Sequence, residues 1–121
     1  MLSTTPFAGP FTTQLIKQSV TNASPNADVR GGASTVYLLR VDNSANASQD
    51  VYLLMYDNAA PTVGTTPPDV IIVVEGGSVL ETVWLTGITF EVALSFACTT
   101  AGGLGGTSSP TNPVITEIAC S

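Results

Sequence analysis

The chain has 121 residues and a mass of 12.4 kDa, which is the size of one domain. Only 10% of its residues are charged, against about 25% in an average soluble protein, and Thr, Ser, Gly, Asn and Pro take their place. Nine acids against Lys17, Arg30 and Arg40 give a net charge of −6 and exclude the basic patch that binds phosphates. We therefore expect no nucleic acid and no membrane among the direct partners.

Stretches of apolar and β-branched residues alternate with turn sequences along the chain, and this spacing predicts an all-β fold. No apolar run approaches the ~20 residues that cross a bilayer, and the start, MLSTTPFAGP, lacks the basic and apolar regions of a signal peptide. We predict an antiparallel β-sandwich, jelly-roll-like, of seven to eight strands, with residues 1–10 as an N-terminal arm and residues 11–121 as a single β-sandwich domain. The expected strands are residues 11–20, 35–41, 51–56, 70–74, 79–85, 88–98 and 114–119.

Three connectors stand out in chain order. Residues 42–49, DNSANASQ, predict a turn, and Gly76 and Gly77 predict a short hairpin because paired glycines adopt positive φ angles. Residues 99–113 form a connector with four glycines, longer than most loops without secondary structure. We interpret it as a mobile loop that orders against a neighbour, with plain disorder as the alternative.

Alternation is clearest in residues 88–98. Every second residue is apolar, which is typical of a half-buried antiparallel strand. The predicted core face consists of Ile88, Phe90, Val92, Leu94, Phe96 and Cys98.

Residues 51–56 and 70–74 are instead apolar on both faces. A strand of a sandwich normally shows one face to water, so both stretches need additional cover. Either a loop of the same chain covers them, or they form a subunit interface. The second possibility predicts a homo-oligomer, and we expect a homotrimer.

The residue types of most active sites are missing. Without histidine, no Ser-His-Asp or Cys-His arrangement can form, and the acids are spread singly, mostly at strand ends where solvated carboxylates belong. Asp42-Asn43 and Asp57-Asn58 fit turns better than a calcium loop, which needs several converging carboxylates. The glycines of residues 102–106 lack the lysine of a phosphate-binding loop. We predict no enzyme, and no catalytic, cofactor-binding or metal-binding residues.

Two further residue types allow competing interpretations. If residues 114–119 pair with residues 88–98, Cys98 and Cys120 lie ~20 Å apart, too far for a disulfide, so we predict two free thiols. Free thiols fit a reducing cytoplasm.

Four aromatic rings could stack on a sugar, although rings within strands more often belong to the core. They are Tyr37, Tyr52, Tyr56 and Trp84.

A pattern in residues 53–69 and 76–97 points to a family. A strand ending in L-x-Y-D is followed by A-P-T-x-G-T-x-P, an apolar strand, a Gly-containing turn and G-I-x-F. Over roughly residues 37–118, this pattern resembles small structural proteins of tailed bacteriophages, and the best match is a capsid decoration, or cement, protein. The residues that carry the resemblance are Leu54, Tyr56, Asp57, Ala60, Pro61, Thr62, Gly64, Thr65, Pro67, Gly87, Ile88 and Phe90.

The resemblance implies a β-sandwich, often trimeric, on the outer capsid surface of a virion assembled in the host cytoplasm. It implies that the protein binds the major capsid protein, stabilises contacts between its subunits and has no catalytic residues. Two alternatives share the composition: a phage tail or neck structural subunit, and a carbohydrate-binding β-sandwich module that would use Trp84 and the tyrosines.

Overall fold

The structure is a computed structural model that describes residues 13–121. This range contains seven strands and no helix, so the predicted all-β fold is confirmed. The predicted arm, residues 1–10, and the start of the first predicted strand lie outside the described residues. The strands are β1 (Gln14–Thr21), β2 (Ser34–Asp42), β3 (Val51–Asp57), β4 (Val70–Val74), β5 (Val79–Phe90), β6 (Leu94–Thr99) and β7 (Val114–Cys120).

The strands form two antiparallel sheets, a four-stranded sheet in the order β1-β7-β2-β5 and a three-stranded sheet in the order β4-β3-β6. These orders match an eight-stranded jelly roll that lacks one strand beside β6. Residues 22–29 occupy that place: Asn26 and Phe96 exchange two backbone hydrogen bonds of 2.8 and 3.1 Å. The irregular segment thus covers an edge that would otherwise carry unpaired backbone groups.

The core lies between the sheets and takes mainly alternate residues of the strands, except that the register shift in β2 puts Val36 and Leu39, three residues apart, on the core side. β3 contributes Leu53 and Met55, and β7 contributes Ile118 from the opposite side, all fully buried. The remaining large members of this cluster are Val36, Leu39, Val41, Val51, Val74, Phe90, Leu94, Phe96 and Val114.

The prediction of one strand over residues 88–98 is wrong. β5 ends at Phe90 in the four-stranded sheet, β6 begins at Leu94 in the three-stranded sheet, and Val92 is exposed rather than in the core. The cause is the carboxylate of Asp57, which accepts hydrogen bonds from the backbone N–H groups of residues 91, 92 and 93 at 3.1, 2.7 and 3.1 Å. These N–H groups are therefore unavailable to a β-ladder, and the chain turns a corner between the sheets.

The hairpin predicted at Gly76 and Gly77 is also wrong. The two residues join β4 to β5, which belong to different sheets, and among them only Gly77 has a positive φ, 77°. Gly76 lies close to the neighbouring turn, where an added Cβ would sit 2.7 Å from the backbone nitrogen of Gln49. Glycine is needed here for close approach of two connectors rather than for a primed turn.

β7 pairs with β1 and β2, not with residues 88–98, so the geometric argument against a disulfide fails. Cys98 and Cys120 instead point into the same core from opposite sheets, and both are free and buried. Burial raises the pKa of the Cys98 thiol to about 12, although a hydrogen bond with the Tyr52 backbone acts in the opposite direction. This thiol is therefore protonated and unreactive at neutral pH.

β5 carries a wide bulge opposite β2. Val36 pairs with Ile88 and Leu38 with Val83, so residues 84–87 of β5 lie opposite the single residue 37. Gly87 allows this with a φ of 79°, and a Cβ there would collide with the side chain of Thr35. The bulge makes Leu85 the most exposed large apolar side chain among the described residues.

Candidate interaction surfaces

The residues that could bind a metal ion do not lie close together. Within residues 13–121, no three His, Cys, Asp or Glu side chains lie together as a metal site would require. Both Asp-Asn pairs use their oxygens locally. Asp42 accepts from the backbone N–H and hydroxyl of Ser44 at 2.9 and 2.5 Å, and the side-chain oxygen of Asn43 accepts from Asn46. The calcium alternative therefore loses its ligands to turn formation.

The strand-end acids were expected to be solvated, yet four of them hold backbone N–H groups. Besides Asp42 and Asp57, Asp50 accepts from Gly76 at 2.9 Å and Asp69 from the N–H of residue 57 at 2.7 Å. Hydrogen bonds with Ser44 lower the pKa of Asp42 below its usual range. Burial raises the pKa of Asp57, but its three backbone hydrogen bonds outweigh this and leave it below the ordinary value. These acids anchor connectors.

A buried amide network fixes the turn of residues 42–49. The side-chain nitrogen of Asn43 donates to the backbone carbonyls of residues 49, 74 and 75 at 2.8, 3.4 and 3.1 Å. Asn46 exchanges hydrogen bonds with the backbone of Asn112, so the long connector before β7 is tied to the same turn. A polar cleft of about 310 Å³ beside this network is lined by residues 46–49 and 111–112.

The four rings considered for sugar stacking do not share a surface. Tyr56 is fully buried, and its hydroxyl has no hydrogen-bond partner among the described residues. Trp84 packs against the core between the sheets. Tyr37 belongs to the four-stranded sheet and Tyr52 to the three-stranded one. The carbohydrate alternative therefore has no platform of these residues.

The chain itself covers most of the outer side of the three-stranded sheet. Leu54, Tyr56 and Ala97 form a second buried cluster there, and Val63 of the connector 58–69 packs on it. The connector 100–113 closes the rest, because its Gly102 lies against Tyr52, close enough that a Cβ would be 3.1 Å from the ring. The long connector is thus held by its own chain, and the two-faced strand β3 needs no subunit to cover it.

At β4 the same outer side is open. Ile71 is 42% and Val73 is 50% exposed, although the other side of β4 packs into the core. Val79, at the start of β5, continues the apolar surface around a cleft of about 300 Å³. We call Ile71, Val73 and Val79 the β4 patch.

The outer side of the four-stranded sheet, which we call the open face, is ordered into rows by strand register. The first row is apolar, and its end members Leu15 and Val83 are 64% and 60% exposed. The second row alternates in charge across all four strands. In the order β1, β7, β2, β5, the apolar row is Leu15, Ala119, Leu38 and Val83, and the charged row is Lys17, Glu117, Arg40 and Glu81.

Ion pairs link neighbours within the charged row. Lys17 Nζ lies 3.8 Å from Glu117 Oε1, and Arg40 Nε lies 3.7 Å from Glu81 Oε1. The two end members of the row are the most exposed of the four, with Lys17 57% and Glu81 65% accessible. The sequence alone did not indicate this row, because the four residues are far apart in the chain and meet only through strand register.

The chain matches no protein-family model, and comparisons with curated proteins and with solved structures also yield no match. Within residues 13–121, the search for a helix of sufficient length and apolarity to span a membrane finds none.

Proposed function

We propose that this protein is a capsid decoration, or cement, protein of a tailed bacteriophage, which binds the outside of the head and stabilises contacts between major capsid protein subunits. The observation that carries the proposal is the β4 patch. It places solvent-exposed apolar side chains directly beside a cleft on one edge of the sandwich, which is lined by four apolar residues together with Glu75 and Ser78. A rigid sandwich with such an edge is suited to filling a groove between other proteins.

The resemblance in residues 53–69 supports the proposal independently. In the structure these residues form the end of β3, the connector 58–69 and its junction with β4. The connector's Val63 covers Leu54 and Tyr56, and Asp57 secures the β5–β6 corner. The residues of the pattern therefore build the frame that presents β4.

Contact through apolar side chains predicts little dependence on salt. Only three cations are present in the chain, and two of them, Lys17 and Arg40, already form ion pairs within the open face. Each contact on a shell can be weak, because copies held nearby act at an effective concentration near millimolar.

The decisive experiment compares phage particles produced with and without the protein. Particles that lack it should release their genome at a lower temperature, measured by dye access to DNA during heating. Equal heat stability would contradict reinforcement. If antibody labelling by electron microscopy finds the protein only on the tail, the tail-subunit alternative takes its place.

A binding assay with bare heads tests the β4 patch itself. Val73→Asp places a charge in the centre of the patch and should abolish co-sedimentation with heads. The matched control is Leu104→Asp, since Leu104 is equally exposed but lies on the connector 100–113. Equal binding by both variants would remove the β4 patch from the proposal.

The homotrimer expected from the sequence keeps only part of its physical support. A subunit interface was one of two ways to cover β3 and β4, the other being a loop of the same chain, and β3 receives its cover from its own connectors. Only β4 still has an uncovered side, and a trimer that buried it could not also present the β4 patch to the shell. A trimer would have a mass of 3 × 12.4 = 37.2 kDa, which light scattering can distinguish from smaller assemblies.

A further inference from the structure

We infer that the open face of the four-stranded sheet pairs with the open face of a second copy of this chain, about a two-fold axis parallel to the strands. The inference concerns the outer side of the other sheet, which meets the β4 patch only at Val79, the register partner of Asp42, and it does not depend on the proposed function. It rests on the order of charges and apolar side chains across the sheet.

The charged row is complementary to its own reverse. From β1 to β5 it runs positive, negative, positive, negative. A two-fold axis along the strands, between β7 and β2, places each strand opposite its counterpart in reverse order. Lys17 then faces Glu81 of the other copy, and Glu117 faces Arg40, so every position meets the opposite charge.

The same operation stacks the apolar rows. Leu15 faces Val83 of the other copy and Ala119 faces Leu38, because the axis keeps each row at its own height along the strands. The two exposed ends of the apolar row thus cover each other. Facing sheets pack about 10 Å apart with their strands within about 30° of each other, which such an axis permits.

The alternative two-fold axis is excluded by charge. An axis along the charged row would place each strand opposite itself, so that Lys17 faced Lys17 and Glu81 faced Glu81. Like charges placed opposite each other across an interface are strongly unfavourable. The sign order therefore favours the axis along the strands over an axis along the charged row.

Size and desolvation predict a weak pair. Four strands at ~4.8 Å spacing and about seven residues of length give ~460 Å² per copy, or ~900 Å² in total, which is at the low end for specific interfaces. Lys17 and Glu81 lie at the rim, where ion pairs keep part of their water. The least favourable position is Asp42, which would face Ile115, but its carboxylate is already hydrogen-bonded to Ser44. We expect a dissociation constant in the micromolar range.

Charge reversal at the two ends of the row tests the pairing. Lys17→Glu puts a glutamate opposite Glu81 of the other copy, and Glu81→Lys puts a lysine opposite Lys17. Each variant alone should associate at least tenfold more weakly than the unchanged protein. A mixture of the two variants should associate again, since both end contacts then join opposite charges. The double variant should also pair with itself.

This rescue cannot arise within one chain. Lys17 and Glu81 lie on β1 and β5, separated by three strand spacings or ~14 Å, beyond the ≈ 8 Å screening length at physiological salt. The ion pairs that each variant breaks, with Glu117 and with Arg40, stay broken in the double variant. Recovery of association therefore reports contacts between copies.

Sedimentation velocity from micromolar to millimolar concentration provides the measurement. The unchanged protein should approach 2 × 12.4 = 24.8 kDa as concentration rises. Glu91→Lys is the matched control, because it shifts net charge from −6 to −4 as Glu81→Lys does but lies at the exposed β5–β6 corner, off the open face. Circular dichroism confirms that each variant is folded, as expected for the loss of surface ion pairs.

Four results would overturn the inference. They are a 12.4 kDa monomer at every concentration, a trimer that neither single variant disturbs, an equal loss of association in Glu91→Lys, and a mixture of the two single variants that fails to associate.

Discussion

The two sheets differ in what happens to their outer sides. On the three-stranded sheet, the outward residues Leu54 and Tyr56 are as buried as core residues, because Val63 of the connector 58–69 packs on their cluster. On the four-stranded sheet, the outward residues Leu15 and Val83 remain open to water. The difference shows that an outward apolar side chain marks an interaction surface only where the chain's own loops leave it uncovered.

The largest expected effect compares one leucine from each outer side. Leu54→Ala should lower the free energy of unfolding by about 2–5 kcal/mol, because it removes buried methyl groups and leaves a cavity. Leu15→Ala should stay within about 0.5 kcal/mol. Urea unfolding at a concentration well below the expected micromolar dissociation constant, where the chain is not paired, measures both. Similar losses at the two positions would show that the outer sides do not differ.

The next effect concerns the corner that sends the chain from one sheet to the other. Asp57→Asn keeps the shape of the side chain but replaces one accepting oxygen by a donor, which should cost about 1.5–3 kcal/mol. Asp50→Asn is the control, because Asp50 holds a single exposed backbone N–H, at residue 76. A larger loss at Asp50 would contradict the role assigned to the corner.

The same variant has a pH signature. The folded-state pKa of Asp57 lies below its ordinary value near 3.8 because of the backbone hydrogen bonds, which outweigh the opposing effect of burial. Its contribution to stability is therefore complete above that value and is lost as the pH falls through the lower, folded-state pKa. The difference between the unchanged protein and Asp57→Asn should shrink below about pH 4. A difference that stays constant down to pH 2 would contradict this assignment.

A smaller effect tests the connector that covers the three-stranded sheet. In Gly106→Ala, the new Cβ would collide with the carbonyl oxygen of Ala101, so the backbone must shift. We expect a loss of about 1–3 kcal/mol. Gly105→Ala is the matched control, since nothing lies within 4 Å of its Cβ position. Equal stability of the two variants would show that the connector is not packed as described.

The smallest effect lies beneath the other connector, residues 58–69, whose Val63 packs on the cluster of Tyr56. Tyr56→Phe removes a buried hydroxyl that has no hydrogen-bond partner among the described residues. Because the ring and its packing remain, the change should be neutral or stabilising by at most about 1 kcal/mol. Thermal unfolding of the two proteins decides it. A clear loss of stability would reveal a partner for the hydroxyl and a different outer cluster.

Strand positions could be predicted from sequence because period-2 patterns are local. The predicted stretch 51–56 became β3, and 70–74 became β4 without change. The corner at residues 91–93 could not be predicted, because the alternation continues through it and its cause is Asp57, more than thirty residues earlier.

The candidate surfaces were even harder to predict, because they arise from residues that are far apart in the sequence. The charged row exists only because Lys17, Glu117, Arg40 and Glu81 share one height in the register of four strands. The predicted pairing of β7 with residues 88–98 would have placed Glu117 beside other residues than Lys17 and Arg40. The cover of β3 by loops could not be predicted either, because nothing in the sequence around Gly102 and Val63 indicates that they pack against β3.

The position of β7 between β1 and β2 has a consequence during synthesis. Residues 14–42 supply two strands that do not pair with each other but lie on either side of β7, which begins 72 residues further along the chain (114 − 42). At about 5–20 residues per second, a ribosome needs roughly 4–14 s to supply it. Within that interval β2 can pair with β5, but β1 has no partner strand, so the apolar side of Ile16 stays exposed on the nascent chain, as a surface that a holding chaperone would recognise.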